Sequence, residues 1–254
     1  MLGIASVKDI VRILGGFAPF DTAEPWDNVG LLVGRRNAPV ERVLMALDVT
    51  MDVIREAVAQ NVQLIVTHHP LMFHPRSRMT DEDPEGQMLL ALCENGIALC
   101  SLHTNLDKAA GGVNDALMRA VGLEEADGEG FLRTADLSEG TTLDALTARI
   151  DEGLGTRSKV YGKRDETLRR LACCSGAGGG EIDSAIAAGA DVFLTGEIKH
   201  HEALYAMHRG ICVVESGHFE TERPVLESLC EALQKACDAV QYNISVFCSR
   251  VNPF

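Results

Sequence analysis

Six side chains able to hold a metal ion or move a proton stand where apolar runs of this sequence stop. His68 and His69 close the run LIVTHH. His103 follows ALCSL with Asp107 four residues on, and His218 follows CVVESG with Glu222 four residues on. Imidazole and carboxylate with no thiolate among them suit borderline divalent ions such as Zn, Mn, Fe, Co or Ni. Neighbouring side chains on a strand point to opposite faces, so the rings of His68 and His69 are expected to diverge. Pro70 fixes its own φ directly after them, and each ring can then serve a different ion. A two-ion centre also needs a bridge, which a flexible carboxylate such as Glu222 can supply. Two ions about 3.5–4 Å apart could polarise a substrate and lower the pKa of a shared water.

Such residues must be carried by elements that end together. Short apolar runs alternate with helical patterns through most of the chain, the pattern of an α/β fold with a parallel or mixed sheet. Helices are predicted over Val7 to Phe17, Met51 to Gln60, Glu85 to Glu94, Val113 to Val121, Leu143 to Glu152, Ile182 to Ala188, His201 to His208 and Thr221 to Ala236. Asp48 or Thr50 is a candidate cap for the second of these. The acidic, glycine-bearing segment EEADGEGFLRTADLSEGTT reads as a boundary, giving lobes over 1–125 and 126–254. The halves resemble each other. IVTHH and then ALCSLHTNLD in the first are echoed by FLTGE and then CVVESGHFETE in the second, suggesting duplicated βαβ units about a pseudo-twofold axis.

Composition narrows the function. With 37 acids against 23 bases the formal net charge is −14, and the bases are scattered, so a phosphate-tracking nucleic-acid groove is not expected. The opening MLGIASVKDIVRILGGF reads as an amphipathic helix rather than a signal peptide, and no apolar run approaches the roughly 20 residues a bilayer span needs. A cytoplasmic protein without membrane attachment is expected. No CxxC pair occurs among the eight cysteines, which read as reduced core residues. His74, His200, His201 and His208 read as structural, with His201 the exception to watch at the start of a helix. The GAGGG loop lacks the GxGxxG spacing and a following lysine, so it reads as a tight turn rather than a phosphate cradle. Trp26 could stack on a base or close a core edge.

The stretches WDNVGLLVG, ALDVT, LIVTHHPLMF, HTNLD, VFLTGEIKHHE and GHFETE resemble, in order, the motif series of the Nif-three-like family, also labelled GTP cyclohydrolase 1 type 2. The resemblance runs from about Trp26 to the final NPF. It implies a two-lobed α/β protomer of the short form, a dinuclear metal site between the lobes, and a toroidal homohexamer built as a trimer of dimers. Carried over by motif, the family's ligands fall on His68, His69, Asp107, His218 and Glu222, with the glutamate bridging both ions and His103 beside them as ligand or proton shuttle. The family label implies hydrolytic opening of the guanine imidazole ring of GTP, with His103 moving protons. No Walker A or base-reading Asn-Lys-x-Asp motif specifies guanine, so hydrolysis of another nucleotide or phosphoester fits equally. The rival expectation is a non-enzymatic metal store, chaperone or interaction scaffold.

Overall fold

Runs of four or five apolar residues are too short for stable helices and are rich in Val, Leu and Ile, so they settle as strands buried on both faces. The computed structural model describes residues 3–163 and 165–253; Met1, Leu2, Arg164 and Phe254, the last of the closing NPF, lie outside the described residues. In chain order come β1 (Ala5–Ser6), α1 (Val7–Phe17), β2 (Gly30–Val33), β3 (Pro39–Val40), β4 (Arg42–Ala46), α2 (Met51–Ala59), β5 (Leu64–Thr67), α3 (Pro84–Glu94), β6 (Ala98–Ser101) and α4 (Thr104–Lys108). There follow α5 (Val113–Ala120), β7 (Arg133–Asp136), α6 (Leu143–Leu154), β8 (Lys159–Tyr161), β9 (Arg170–Cys174), α7 (Ile182–Ala187), β10 (Val192–Thr195), α8 (His200–His208), β11 (Cys212–Glu215) and α9 (His218–Glu222). The chain ends with α10 (Val225–Ala239) and β12 (Ser245–Cys248).

These elements make two units, Met1–Leu106 with Leu226–Phe254, and Asp107–Val225. The first holds a five-stranded sheet in the order β12-β4-β5-β6-β2, parallel except for the edge strand β2. On one face Leu44, Ile65 and Leu99 pack with Val53, Ile54 and Ala57 of α2 and Leu89 and Leu92 of α3. Their strand neighbours Val43, Met45, Val66 and Cys100 are buried as well, so both faces are covered.

The second unit holds the sheet β7-β9-β10-β11-β8, with β9, β10 and β11 parallel and both edges antiparallel. Alternation sorts its two faces. Leu171, Cys173, Val192, Leu194, Cys212 and Val214 pack with α5 and α6, while Ala172, Cys174, Phe193 and Val213 pack with α7 and α8. This is a three-layer α/β/α arrangement. Among the described residues no helix is long and apolar enough to cross a membrane.

The internal echo in the sequence is a repeat of topology. In each unit three consecutive parallel strands (β4-β5-β6, β9-β10-β11) are flanked beyond the third by an earlier strand of the chain, β2 or β8, running antiparallel. Thr67 and Thr195 end the middle strands, and each carbonyl accepts from the chain leaving the third strand, at Leu102 N and Ser216 N, both at 2.9 Å. A five-residue helix comes next in both, α4 and α9. In the repeat numbering His218 is the equivalent of Thr104, one residue away from the expected match with His103.

Three expectations differ from the structure. The boundary expected at 125/126 is displaced because β12 pairs in parallel with β4, Ser245 to Cys248 against Arg42 to Met45, returning the C-terminal segment to the first unit. The segment expected to link the lobes contains β7, which completes the second sheet against β9. The long helix expected over Thr221 to Ala236 is two helices, α9 and α10, parted at Arg223 and Pro224. Proline lacks the N–H that a continuing helix would need there.

Helix packing in the second unit depends on Gly153 of α6. A Cβ at that position would come 2.1 Å from the carbonyl oxygen of Ala120, at the end of α5. Gly153→Ala should therefore destabilise the protein, because overpacking against backbone costs about 1–3 kcal/mol and the gain in helix propensity is at most about 1 kcal/mol. At Gly16 of α1 a Cβ meets nothing within 4 Å, so Gly16→Ala should stabilise by up to about 1 kcal/mol. Urea midpoints of the two variants moving in the same direction would contradict this account.

Candidate metal centre

β5 delivers two histidines as its ladder gives out. His68 N and His69 N still donate to Ala46 O and Leu47 O, at 3.4 and 3.0 Å, so the chain is held beside the end of β4. The Thr67 hydroxyl then donates to His69 O at 2.8 Å and meets the Ser101 hydroxyl at 2.9 Å, turning the chain ahead of Pro70. The expected divergence of the two rings does not occur. Their centroids lie 4.9 Å apart, and His103, just beyond β6, comes within 5.1 Å of His68 and 5.5 Å of His69. Each of the three rings offers a nitrogen within 4.8 Å of the others'.

Every one of these rings is anchored at Nδ1. His68 Nδ1 lies 2.9 Å from Leu102 O, His69 Nδ1 2.8 Å from Asp48 Oδ1, and His103 Nδ1 2.9 Å from Asp27 Oδ1. A carbonyl can only accept, so a neutral His68 carries its proton on Nδ1 and its lone pair on Nε2. A carboxylate imposes the same tautomer on His69 and His103. Hydrogen bonds of this kind orient ligating histidines and raise their basicity at metal centres.

Asp27 and Asp48 hold two of these rings, and neither stood out from the sequence as part of the site. Asp48 is available to His69 because Thr50 caps α2, accepting from Val53 N at 3.2 Å. Asp27 is fully enclosed and also accepts from the Thr104 N–H at 3.0 Å. Burial alone would raise its pKa, but the hydrogen bonds from Thr104 and His103 outweigh that and hold it below the usual carboxylate range. The motifs WDNVG and ALDVT contain these two acids, and an acid at a loop or strand end was the available signal.

In the second unit α9 places His218 and Glu222 one turn apart, with Nε2 and Oε1 3.1 Å from each other. His218 Nδ1 lies 3.1 Å from Glu197 Oε1, another acid not singled out from sequence. Glycine keeps this space open. A Cβ at Gly176, where φ is +58°, would fall 2.3 Å from Glu222 Oε1 and 3.1 Å from His218 Nε2. Asp107 is buried on α4, and its backbone carbonyl accepts from Asn114 Nδ2 at 3.2 Å. The Cys174 thiol is pushed well up by burial, then by Cys173, Asp107, Glu181 and Glu222, so both ligand candidates lie within its electrostatic reach. Nitrogen and oxygen donors held in a cradle that a side chain would fill fit a borderline divalent ion.

The remaining candidates stay apart from these groups. His74, His200, His201 and His208 are exposed, and none joins a metal-capable cluster among the described residues. The GAGGG loop is a tight turn whose N–H groups are used internally, Gly176 N donating to Thr221 Oγ1 and Gly178 N to Thr195 Oγ1, both at 3.1 Å. All eight cysteines are free thiols, and burial pushes those of Cys100 and Cys173 up to about 12.

Histidines at the carboxyl ends of the parallel strands give this α/β protein a group of side chains that could hold a metal ion. The profile of the Duf34/NIF3 family (NGG1p interacting factor 3) matches residues 5–253, and the chain belongs to this family. It is 33% identical to the GTP cyclohydrolase 1 type 2 homolog of Clostridium acetobutylicum over 97% of its own length and 96% of that protein's. It is also 33% identical to the GTP cyclohydrolase 1 type 2 of Helicobacter pylori, covering 87% of this chain and 88% of that one. Among solved structures, a Staphylococcus aureus protein superimposes with a TM-score of 0.93 at 28% identity, covering 99% of each chain.

The anchoring of His103 has a measurable consequence. Its pKa lies below the ordinary value because of burial and then the neighbouring His68, against the opposing pull of Asp27. The unfolded chain therefore takes up this proton near about 6.5, before the folded chain does. Chelator-treated protein should keep the full contribution of His103 to stability above that pH and lose it as pH falls toward the folded value. Asp27→Asn removes the opposing pull, so His103 should titrate at still lower pH in imidazole NMR spectra. An unchanged or raised value would contradict the anchoring.

Proposed function

We propose that the protein is a metal-dependent hydrolase that binds two divalent ions through His68, His69, Asp107, His218 and Glu222, with Glu222 serving both. The observation that carries this reading is the convergence of three imidazoles whose Nδ1 atoms are all committed to acceptors. Bound divalent ions would supply Lewis-acid polarisation of a substrate and a lowered pKa for water. His68 and His69 would hold an ion through Nε2, their rings fixed at Nδ1 by Leu102 O and Asp48. His103, neutral near pH 7 because its pKa is lowered by burial and His68, accepts a proton at Nε2, and Asp27 holds its ring in place.

The curated relatives carry the name GTP cyclohydrolase 1 type 2 or its homolog. By that likeness the reaction class is hydrolysis of a nucleotide, with opening of the guanine imidazole ring of GTP as the particular case and phosphoester hydrolysis as its neighbour. The working form is then a cytoplasmic homohexamer. A second reading, metal storage or delivery without turnover, draws on the formal charge of −14.

Elemental analysis of protein purified without added metal should give close to two ions per chain. Glu222→Ala should lose both, whereas His69→Ala should retain about one, since a terminal ligand serves a single ion. Metal-loaded protein should turn over GTP or a generic phosphoester, and His68→Ala with an unchanged circular dichroism spectrum should not. Full metal occupancy with no turnover on any of these substrates would favour the storage reading. Equal metal loss in Glu222→Ala and His69→Ala would remove the bridging role.

A further inference from the structure

Two large aromatic rings stand in solvent beside His103. Trp26 is 62% exposed and Phe73 is 43% exposed. Both meet the His103 ring edge-on, at centroid distances of 6.1 and 5.6 Å and interplanar angles of 75° and 83°. A ring that merely closes a core edge is mostly covered by its surroundings, whereas both of these leave a large part of their surface open.

Their backbone, by contrast, is firmly tied. Asp27 bonds His103 and Thr104, and Glu24 N donates to Thr104 Oγ1 at 2.9 Å. Asn28 Nδ2 donates to Met72 O at 2.7 Å, linking the Trp26 loop to the residue before Phe73. The motif Trp26-Asp27-Asn28 thus fixes the imidazole and joins the two aromatic loops while leaving most of the indole exposed. Rigid loops presenting exposed π faces make a stacking platform at little conformational cost.

A cavity of about 470 Å³ opens next to this platform, bordered by His69, Phe73, Asp48, Arg76, Asp83 and Glu85. That volume lies within the usual range for small-ligand sites, roughly 300–1,000 Å³. Its charges do not suit phosphate. The Arg76 guanidinium is engaged by Asp83 at 2.6 Å and Glu85 at 2.9 Å, and Asp48 adds a further acid on the wall. Acids outnumber bases, and the only arginine on the wall is already paired.

We infer that Trp26 and Phe73 form a stacking subsite for the planar, uncharged heteroaromatic ring of a nucleobase or nucleoside, and that the adjoining cavity takes this ring end of the substrate rather than its phosphates. This rests on the hydrolase reading of the same site and names its substrate class. Stacking of a base on an aromatic side chain does not require the ion.

Trp26 is the sole tryptophan of the chain, so its fluorescence reports the subsite directly. Guanosine, titrated with excitation restricted to tryptophan, should quench it saturably in both metal-loaded and chelator-treated protein. Ribose 5-phosphate should neither quench nor compete. Phe73→Leu keeps apolar volume without a π face and should weaken guanosine binding on the order of tenfold, while Phe73→Tyr should restore it. The inference is overturned if guanosine does not quench, if ribose 5-phosphate competes with it, or if Phe73→Leu binds as wild type. Because chelated protein is tested in parallel with its metal content, failure here with two bound ions leaves the hydrolase reading standing. Saturable quenching in protein that takes up no metal would support the subsite while removing that reading.

Discussion

A neutral imidazole has one nitrogen that donates and one that accepts, and the candidate centre depends on which is which. Leu102 O, Asp48 and Asp27 each take the Nδ1 proton of one histidine, so the accepting nitrogen is Nε2 in all three. Without those acceptors the rings could rotate or change tautomer, and three bases packed together would not present matched lone pairs. The acceptors in turn depend on strand ends. Leu102 leaves β6 bonded to Thr67 O, and Asp48 follows β4 by two residues, where Thr50 relieves it of capping α2. Parallel strands in register therefore set the chemistry.

The repeat explains why functional groups recur at equivalent edges. A trio of parallel strands with one antiparallel flank brings two strand ends side by side and follows them with a short helix. In the first unit this motif gathers imidazoles; in the second it gathers His218, Glu222 and Glu197. The units differ in their fourth partner, parallel β12 against antiparallel β7.

Much of this was legible in the sequence where local rules decide. Val7 to Phe17 is a helix with the bounds its periodicity predicts, and apolar runs such as LIVT and VFLT are strands. Element ends misread by a residue or two reflect caps, as at Gly155, whose φ of 65° stops α6 after Leu154. Non-local features were not legible. Nothing within NISVFCS states that it pairs with RVLMA two hundred residues earlier, and β7 is too polar at Arg133, Thr134 and Asp136 to stand out as a strand. Pro224 was visible and should have divided the last helix. For the site, the ligand types were readable, but their anchors Asp27, Asp48 and Glu197 were not, because hydrogen-bond partners are chosen by tertiary proximity. The strand rule of opposite faces failed at His68 and His69 because both residues already lie beyond the ladder of β5.

X-ray absorption spectroscopy of protein loaded with zinc tests the central claim most directly, since it reads the donor atoms around the ion. The account predicts imidazole scattering and a nitrogen and oxygen shell near about 2.0–2.1 Å, weakened in the His68→Ala variant. A sulfur shell near about 2.3 Å, or an oxygen shell without imidazole scattering, would contradict it.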